Sequence, residues 1–185
     1  MLAAAGAAVV VSDINKDKAQ AVADGIVASG GKAIAVECNV LNDADPVATV
    51  DAAVKAYGTV NILVNNDGLG GGRVNPFKID TAYMERIYRI NVFAPWRLCQ
   101  LTVPLMGKSD YGSIVNITSM SSVDKEPNMG IYASSKAALN HLAANLAYDF
   151  GSYGVRINNA VLRLAGFGMG QRANLVRERC RRPDP

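Results

Sequence analysis

The chain has 185 residues, 50% hydrophobic and 19% charged, a balance that fits a packed globular domain and excludes a disordered or fibrous polymer. Its formal charge of +3 is unevenly placed: residues 1 to 155 carry 12 Lys and Arg against 14 Asp and Glu, while residues 156 to 185 carry seven Arg against Glu178 and Asp184, so −2 and +5 sum to +3. No apolar run is long enough to cross a bilayer and no leader pattern opens the chain, so a cytoplasmic protein is expected.

Ala8 to Ser12 is a short β-branched run that predicts a strand, and it leads into the turn Asp13-Ile14-Asn15. Lys16 to Ser29 has helical period and ends at Gly30 and Gly31. A second strand is predicted over Lys32 to Glu37 and a second helix over Asp45 to Tyr57, closed by Gly58. Val60 to Asn65 is the third strand, followed by Asn65-Asn66-Asp67-Gly68 and further glycines, whose position predicts a flexible loop rather than a phosphate cradle. Thr81 to Met106 reads as one long helix, Ser113 to Ile117 as the fourth strand, Asn128 to Phe150 as another long helix and Arg156 to Val161 as the fifth strand.

This alternation implies an α/β fold: a Rossmann-like, doubly wound parallel sheet, because right-handed crossovers lay such strands parallel and cover both faces with helices. The loops leaving the C-terminal strand ends then gather at the edge where open sheets bind ligands. Those loops hold Asp13, Asn39, the Asn65 to Gly68 run and Ser119. Residues 1 to 161 are expected to form one domain, and 162 to 185 a divergent Arg-rich tail. With no aromatic residues among its arginines and no nucleic-acid module before it, the tail predicts neither a nucleic-acid nor a membrane partner. Cys38, Cys99 and Cys180 stand singly, with neither metal-ligand nor disulfide spacing.

Tyr132 and Lys136 lie four residues apart, which on a helix places them on one face. An ammonium beside a phenol favours the phenolate, making Tyr132 a usable acid or base near neutrality. Ser119 ends a buried strand, where its hydroxyl is placed to hold a substrate oxygen; Ser121 and Ser122 read as turn or capping serines. Pro95, four residues after Asn91, has no amide for the Asn91 carbonyl and predicts a kink that frees that carbonyl for water. Asp13 closes a strand where dinucleotide-binding folds place an acid for the adenine ribose, and a carboxylate there disfavours a 2′-phosphate, so NAD is expected over NADP. His141, the only histidine, reads as a helix residue without a catalytic or metal role.

Asn65-Asn-Asp-Gly68, Asn91, Ser119 and Tyr132-Ala-Ser-Ser-Lys136, in this order and spacing, resemble the short-chain dehydrogenase/reductase family from about residue 3 to about Val161. Within it, Val9-Val-Val-Ser-Asp-Ile-Asn15, Ile117-Thr-Ser-Met120 and Tyr132 to Ala137 resemble the bacterial 7α-hydroxysteroid dehydrogenases. The resemblance implies hydride transfer between a nicotinamide cofactor and a secondary alcohol or ketone. In that scheme Tyr132 exchanges the proton, Ser119 positions the substrate, Lys136 also holds the nicotinamide ribose and Asn91 anchors a relay water. It further implies that Asn39 and Val40 border the adenine, that Asn65, Asp67 and Gly68 border the cofactor, and that the protein assembles as a homodimer or homotetramer. Asp67 departs from the pattern, since the family has Ala there and a carboxylate beside the cofactor costs desolvation.

By the same comparison the first strand with its phosphate loop and the last strand are expected to be lacking, and the arginine-rich end suggests a changed reading frame near residue 158. Two alternatives to the alcohol or ketone oxidoreductase stand beside it. One is a catalytically inert fragment or interaction protein that keeps the oligomerising helices; the other is a reductase of 3-oxoacyl thioesters.

Overall fold

A computed structural model describes residues 1–70, 73–109, 111–125 and 127–162. It contains β1 (Ala8–Asp13), α1 (Lys16–Ala28), β2 (Lys32–Glu37), α2 (Ala44–Tyr57), β3 (Ile62–Asn65), α3 (Thr81–Tyr88), α4 (Ala94–Gly107), β4 (Gly112–Ser119), α5 (Gly130–Gly151) and β5 (Val155–Leu162). The fold is α/β with parallel sheets, as the alternating pattern predicts. The chain groups into two compact units, Met1–Val60 and Asn61 onward. The arginine-rich tail beyond Leu162, with Cys180, lies outside the described residues.

In the first unit β1 pairs in parallel with β2, Ala8 opposite Lys32 through Asp13 opposite Glu37. Asn15 caps α1, its side-chain oxygen accepting from the Lys18 amide at 3.0 Å, so one of the orphan donors of the first turn is satisfied. The helix ends as the sequence predicts: Gly30 takes φ +83°, which suits glycine, and the Gly31 amide bonds the Ile26 carbonyl at 3.0 Å. Gly58 closes α2 in the same left-handed conformation, its amide on the Val54 carbonyl. The buried apolar residues here are small: Ala19, Ala23, Cys38, Pro46, Val50 and Ala53.

The second unit holds a parallel three-stranded sheet in the order β3-β4-β5. Its central strand alternates strictly, with Gly112, Ile114, Asn116 and Thr118 buried and the residues between them half-buried. Gly112 has no room for a side chain, since a Cβ there would sit 2.7 Å from a Val155 methyl and 2.8 Å from the Met106 Cβ. On α5 the buried set is Ser135, Lys136, Leu139, Ala143, Leu146, Ala147 and Phe150, a stripe of helical period. The expected start of this helix at Asn128 is two residues early: Asn128 itself takes φ +62°, a left-handed turn that α-helical hydrogen bonding cannot continue through.

Thr81 to Met106, expected as one helix, is interrupted. A five-residue π turn, Arg89–Phe93, separates α3 from α4. Pro95 cannot supply the amide that α-helical register would aim at the Asn91 carbonyl, and just before it the ladder slips by one residue, with the Ala94 amide reaching the Arg89 carbonyl. Among the described residues no helix is long and apolar enough to cross a membrane.

Candidate active site

The site-bearing face of the second unit is organised by a row of asparagines. Asn65, Asn116 and Asn159 are direct neighbours in the registers of β3, β4 and β5. The Asn65 amide donates to the Asn116 oxygen at 2.8 Å, and the Asn116 amide donates to the Asn159 oxygen at 3.0 Å. The Asn159 amide in turn donates to the Asn140 carbonyl on α5 at 3.3 Å. The Asn140 side chain donates to the Ser122 hydroxyl at 2.8 Å, and that hydroxyl donates to the Ser119 carbonyl at 2.6 Å. One polar chain therefore runs across the sheet, onto α5 and back to the end of β4, and hydrogen bonds of this kind are strongest where water is excluded.

Ser119 is half-buried at the end of β4, and its hydroxyl accepts from the Ser121 amide at 3.2 Å. The capping role that the sequence offered to Ser121 and Ser122 thus belongs to Ser119 itself, at the head of the short 3-10 turn Met120–Ser122. Lys136 is only 3% exposed. Its ammonium donates to the Ile117 carbonyl at 2.9 Å, which fastens α5 to β4 two residues before Ser119. Burial holds the Lys136 ammonium below its ordinary range, and the negative charge of Asp67 works against that effect. Tyr132, half-buried, stands one turn before Lys136 on the same helix.

Asn91 lies in the π turn and is completely buried. Its amide donates to the Ser135 hydroxyl at 2.9 Å and to the Leu69 carbonyl at 3.2 Å, and its oxygen accepts from the Leu69 amide at 2.9 Å. Ser135 passes the connection on, donating to the Tyr132 carbonyl at 2.7 Å. The loop after β3 is thereby held on both sides by one side chain, with Gly68 above Lys136: a Cβ on Gly68 would lie 3.0 Å from the ammonium nitrogen and 3.7 Å from the Asn91 oxygen. Asn91, Gly68, Lys136 and the end of β4 are accordingly one assembly.

Asp13, Asn39 and Val40 belong to the first unit. Asp13 is half-buried at the end of β1, with one carboxylate oxygen accepting from the Asn15 amide at 2.8 Å, so the side chain closes the turn after the strand. The Asn39 oxygen accepts from the Leu41 amide at 3.1 Å, and the Asn39 amide donates to Asp45 at 2.8 Å. Val40 is half-buried beside it. His141 is exposed, and its carbonyl accepts from Asn145. Cys38 and Cys99 are buried, and burial pushes the Cys99 thiol up to about 12 against the opposing effect of the Asn65 amide.

The sequence reading did not single out Ser135, Asn116 or Asn140, nor Asn159 as a ladder member. Ser135 was within reach, since it precedes Lys136 in the same motif and sits three residues from Tyr132, the spacing at which a helical serine bonds a carbonyl. The asparagine ladder was not, because it depends on strand register. Apart from these groups, a cavity of about 420 Å³ lies between Val74–Met84 and Asn128–Ile131, with Ile79, Met84 and Ile131 among its walls.

The donors present suit a nicotinamide nucleotide: a buried ammonium with one of its three N–H groups on a backbone carbonyl, beside a glycine whose missing side chain leaves the ammonium uncrowded. Comparisons with known proteins agree. The family model described as short chain dehydrogenase matches residues 1–173. The 7alpha-hydroxysteroid dehydrogenase of Escherichia coli (strain K12) is 46% identical over 156 residues, covering 84% of this chain and 60% of that protein. A solved 7α-hydroxysteroid dehydrogenase complexed with NADH and 7-oxo glycochenodeoxycholic acid has a TM-score of 0.81 at 46% identity, covering 85% of this chain and 61% of that one. A metagenomic short-chain oxidoreductase in complex with NADP has a TM-score of 0.82 at 28% identity, over 86% of this chain and 72% of that one. The chain spans about three fifths of the length of the Escherichia coli relative it matches. With the family model spanning nearly its whole length and the Tyr-Ala-Ser-Ser-Lys helix fastened to the end of β4, the chain belongs to the short-chain dehydrogenase family.

Proposed function

We propose that this chain carries the proton-transfer centre of an oxidoreductase that interconverts a secondary alcohol and a ketone, with a hydroxysteroid as the substrate class and NAD as the cofactor. The observation that carries the reading is the placement of Lys136, buried and anchored to β4, one turn after Tyr132. In this reading Tyr132, with the fixed ammonium one helical turn away, is the group that takes the alcohol proton and returns it. The Ser119 hydroxyl holds the substrate oxygen against that phenol, and the remaining Lys136 donors suit ribose hydroxyls. When bound, the cofactor supplies the hydride acceptor or donor. Asn91, through Ser135, keeps the helix turn bearing Tyr132 in place.

Asp13 supports NAD in particular, because a carboxylate accepts hydrogen bonds from two ribose hydroxyls and repels a phosphate in the same position. The likeness to a hydroxysteroid dehydrogenase supports the substrate class. Exposed Phe93 and Trp96 at the start of α4 suit a contact between copies of the chain.

The test is an NADH fluorescence titration of the purified chain together with a dehydrogenase assay on a panel of bile acids. Saturable binding and turnover are expected, with Tyr132→Phe lowering kcat by about 10²- to 10⁴-fold at unchanged cofactor affinity. No saturable signal and no turnover would instead leave a non-catalytic protein that keeps the family's helices.

A further inference from the structure

Asp67 is the one ionisable member of the Asn65 to Gly68 run, and the proposed chemistry does not use it. We propose that Asp67 is the counter-ion of Lys136, a carboxylate on the loop after β3 that keeps the buried ammonium charged and thereby sets the alkaline limit of the Tyr132 chemistry. That limit rests on the oxidoreductase reading, whereas the charge pairing stands without it.

The loop is held tightly enough to make the pairing specific. Asn91 grips Leu69 through both its amide and its carbonyl, at 2.9 and 3.2 Å. Gly68, the residue between Asp67 and that clamp, lies so close to Lys136 that a Cβ would come within 3.0 Å of the ammonium nitrogen. The Asp67 backbone therefore adjoins the residue that lies against the ammonium. Its negative charge does act on Lys136, in the direction that favours the ammonium. The partners are also unequal in a useful way. Lys136 is 3% exposed and bears the cost of burial, whereas Asp67 is exposed, so the pair forms without desolvating the carboxylate.

Among the described residues, the other elements packed around Lys136 offer it no such partner. β4 and the turn Met120–Ser122 carry no ionisable side chain and contribute the Ile117 carbonyl. The π turn contributes Asn91 and the exposed cation Arg89. On α4, Cys99 is a thiol kept neutral by burial, and Arg97 is an exposed cation. α3 carries the exposed Glu85 and Arg86, together with Tyr83 and Tyr88, of which the Tyr88 phenol is bonded to the Ser134 hydroxyl. Arg156 of β5 lies at the far end of the sheet, opposite Ser113 and over the Tyr111 ring. On α5 itself Tyr132 is the neighbour one turn away.

The experiment follows the Cε resonance of Lys136 through a pH titration of the full chain labelled with ¹³C-lysine, the signal being assigned by its loss in Lys136→Met. In Asp67→Asn the midpoint should fall by about one pH unit, the low end of what one opposite charge within a few ångströms contributes, and Asp67→Glu should restore it. Raising the salt from about 0.1 M to about 1 M shortens the Debye length from about 10 Å to about 3 Å, so the wild-type midpoint should also fall with salt while that of Asp67→Asn stays nearly still. If Asp67→Asn does not fold, the salt response of the wild type decides alone. A midpoint that ignores both the substitution and salt overturns the proposal. Because this readout needs no turnover, an inactive protein with a salt-sensitive Lys136 would refute the oxidoreductase reading and keep the ion pair. In an active protein the alkaline limb of kcat/KM moves to lower pH in Asp67→Asn by the same amount as the resonance.

Discussion

The two units of this chain bury their strands very differently. In Met1–Val60 no residue of β1 or β2 is fully buried, and half of the buried residues are alanines. From Asn61 onward, β4 is paired on both sides and buries every second residue, and Ile87, Met106, Ile114, Leu139 and Phe150 fill the space around it. Both units contain parallel strands and helices, so the difference lies in the layers around each strand. A strand with one partner keeps the other row of its backbone groups unpaired, whereas a central strand is closed on both edges. The residues proposed to transfer the proton all sit on the better closed unit, which can hold a buried ammonium and a buried amide ladder in fixed geometry.

Backbone hydrogen exchange offers the largest test of this contrast. Amides of β4 should exchange at least about 10³-fold more slowly than amides of β1, a gap of roughly 4 kcal/mol in local opening free energy. Equal protection in the two strands would break the comparison.

The asparagine ladder is the second test, because it is what distinguishes the interior of the second unit from an ordinary apolar core. Asn116 is 1% exposed and bonded on both sides. Replacing it with Leu keeps the branched shape and strands the Asn65 donor and the Asn159 acceptor, which should cost about 2–3 kcal/mol in urea unfolding. The loss should be cooperative with the exchange of β4 and leave that of β1 unchanged. A stabilised Asn116→Leu would show that the ladder is tolerated rather than required.

Much of this arrangement was legible in the sequence. Strand and helix order followed from short β-branched runs alternating with helical period, and the C-terminal glycines of α1 and α2 announced their own left-handed turns. The pairing of Tyr132 with Lys136 followed from helical spacing alone. The interruption at Arg89–Phe93 was only half legible: Pro95 predicts a disturbed ladder, but whether the helix kinks or widens into a π turn is decided by what packs on it. The ladder was not legible, because residues 65, 116 and 159 become neighbours only through strand register, which sequence periodicity does not fix across parallel strands. Asp67 showed the reverse, standing out in the sequence as a carboxylate in the wrong company while its partner emerged only from the fold.

The smallest expected effect is in the pH dependence of stability, where two buried groups of the second unit pull in opposite directions. Lys136 titrates below its ordinary value in the folded chain, so between its folded midpoint and the usual 10.5 the unfolded state binds more protons than the native one, and stability rises with pH through that window. Cys99 does the opposite. Its folded value of about 12 lies above the usual 9.0, so its contribution is complete below 9 and is lost as pH climbs toward 12. The net slope of the wild type on the alkaline side is therefore the difference of two terms, and each variant should expose the other term. Lys136→Met removes the rising contribution, so its unfolding free energy should fall more steeply than that of the wild type as pH rises toward 10.5. Cys99→Ala removes the falling one and should flatten the decline above pH 9. Parallel curves for the wild type and Lys136→Met would mean that Lys136 titrates as freely in the native chain as in the unfolded one, and the contrast between a closed, charge-bearing interior and a half-exposed neighbour would lose its electrostatic half.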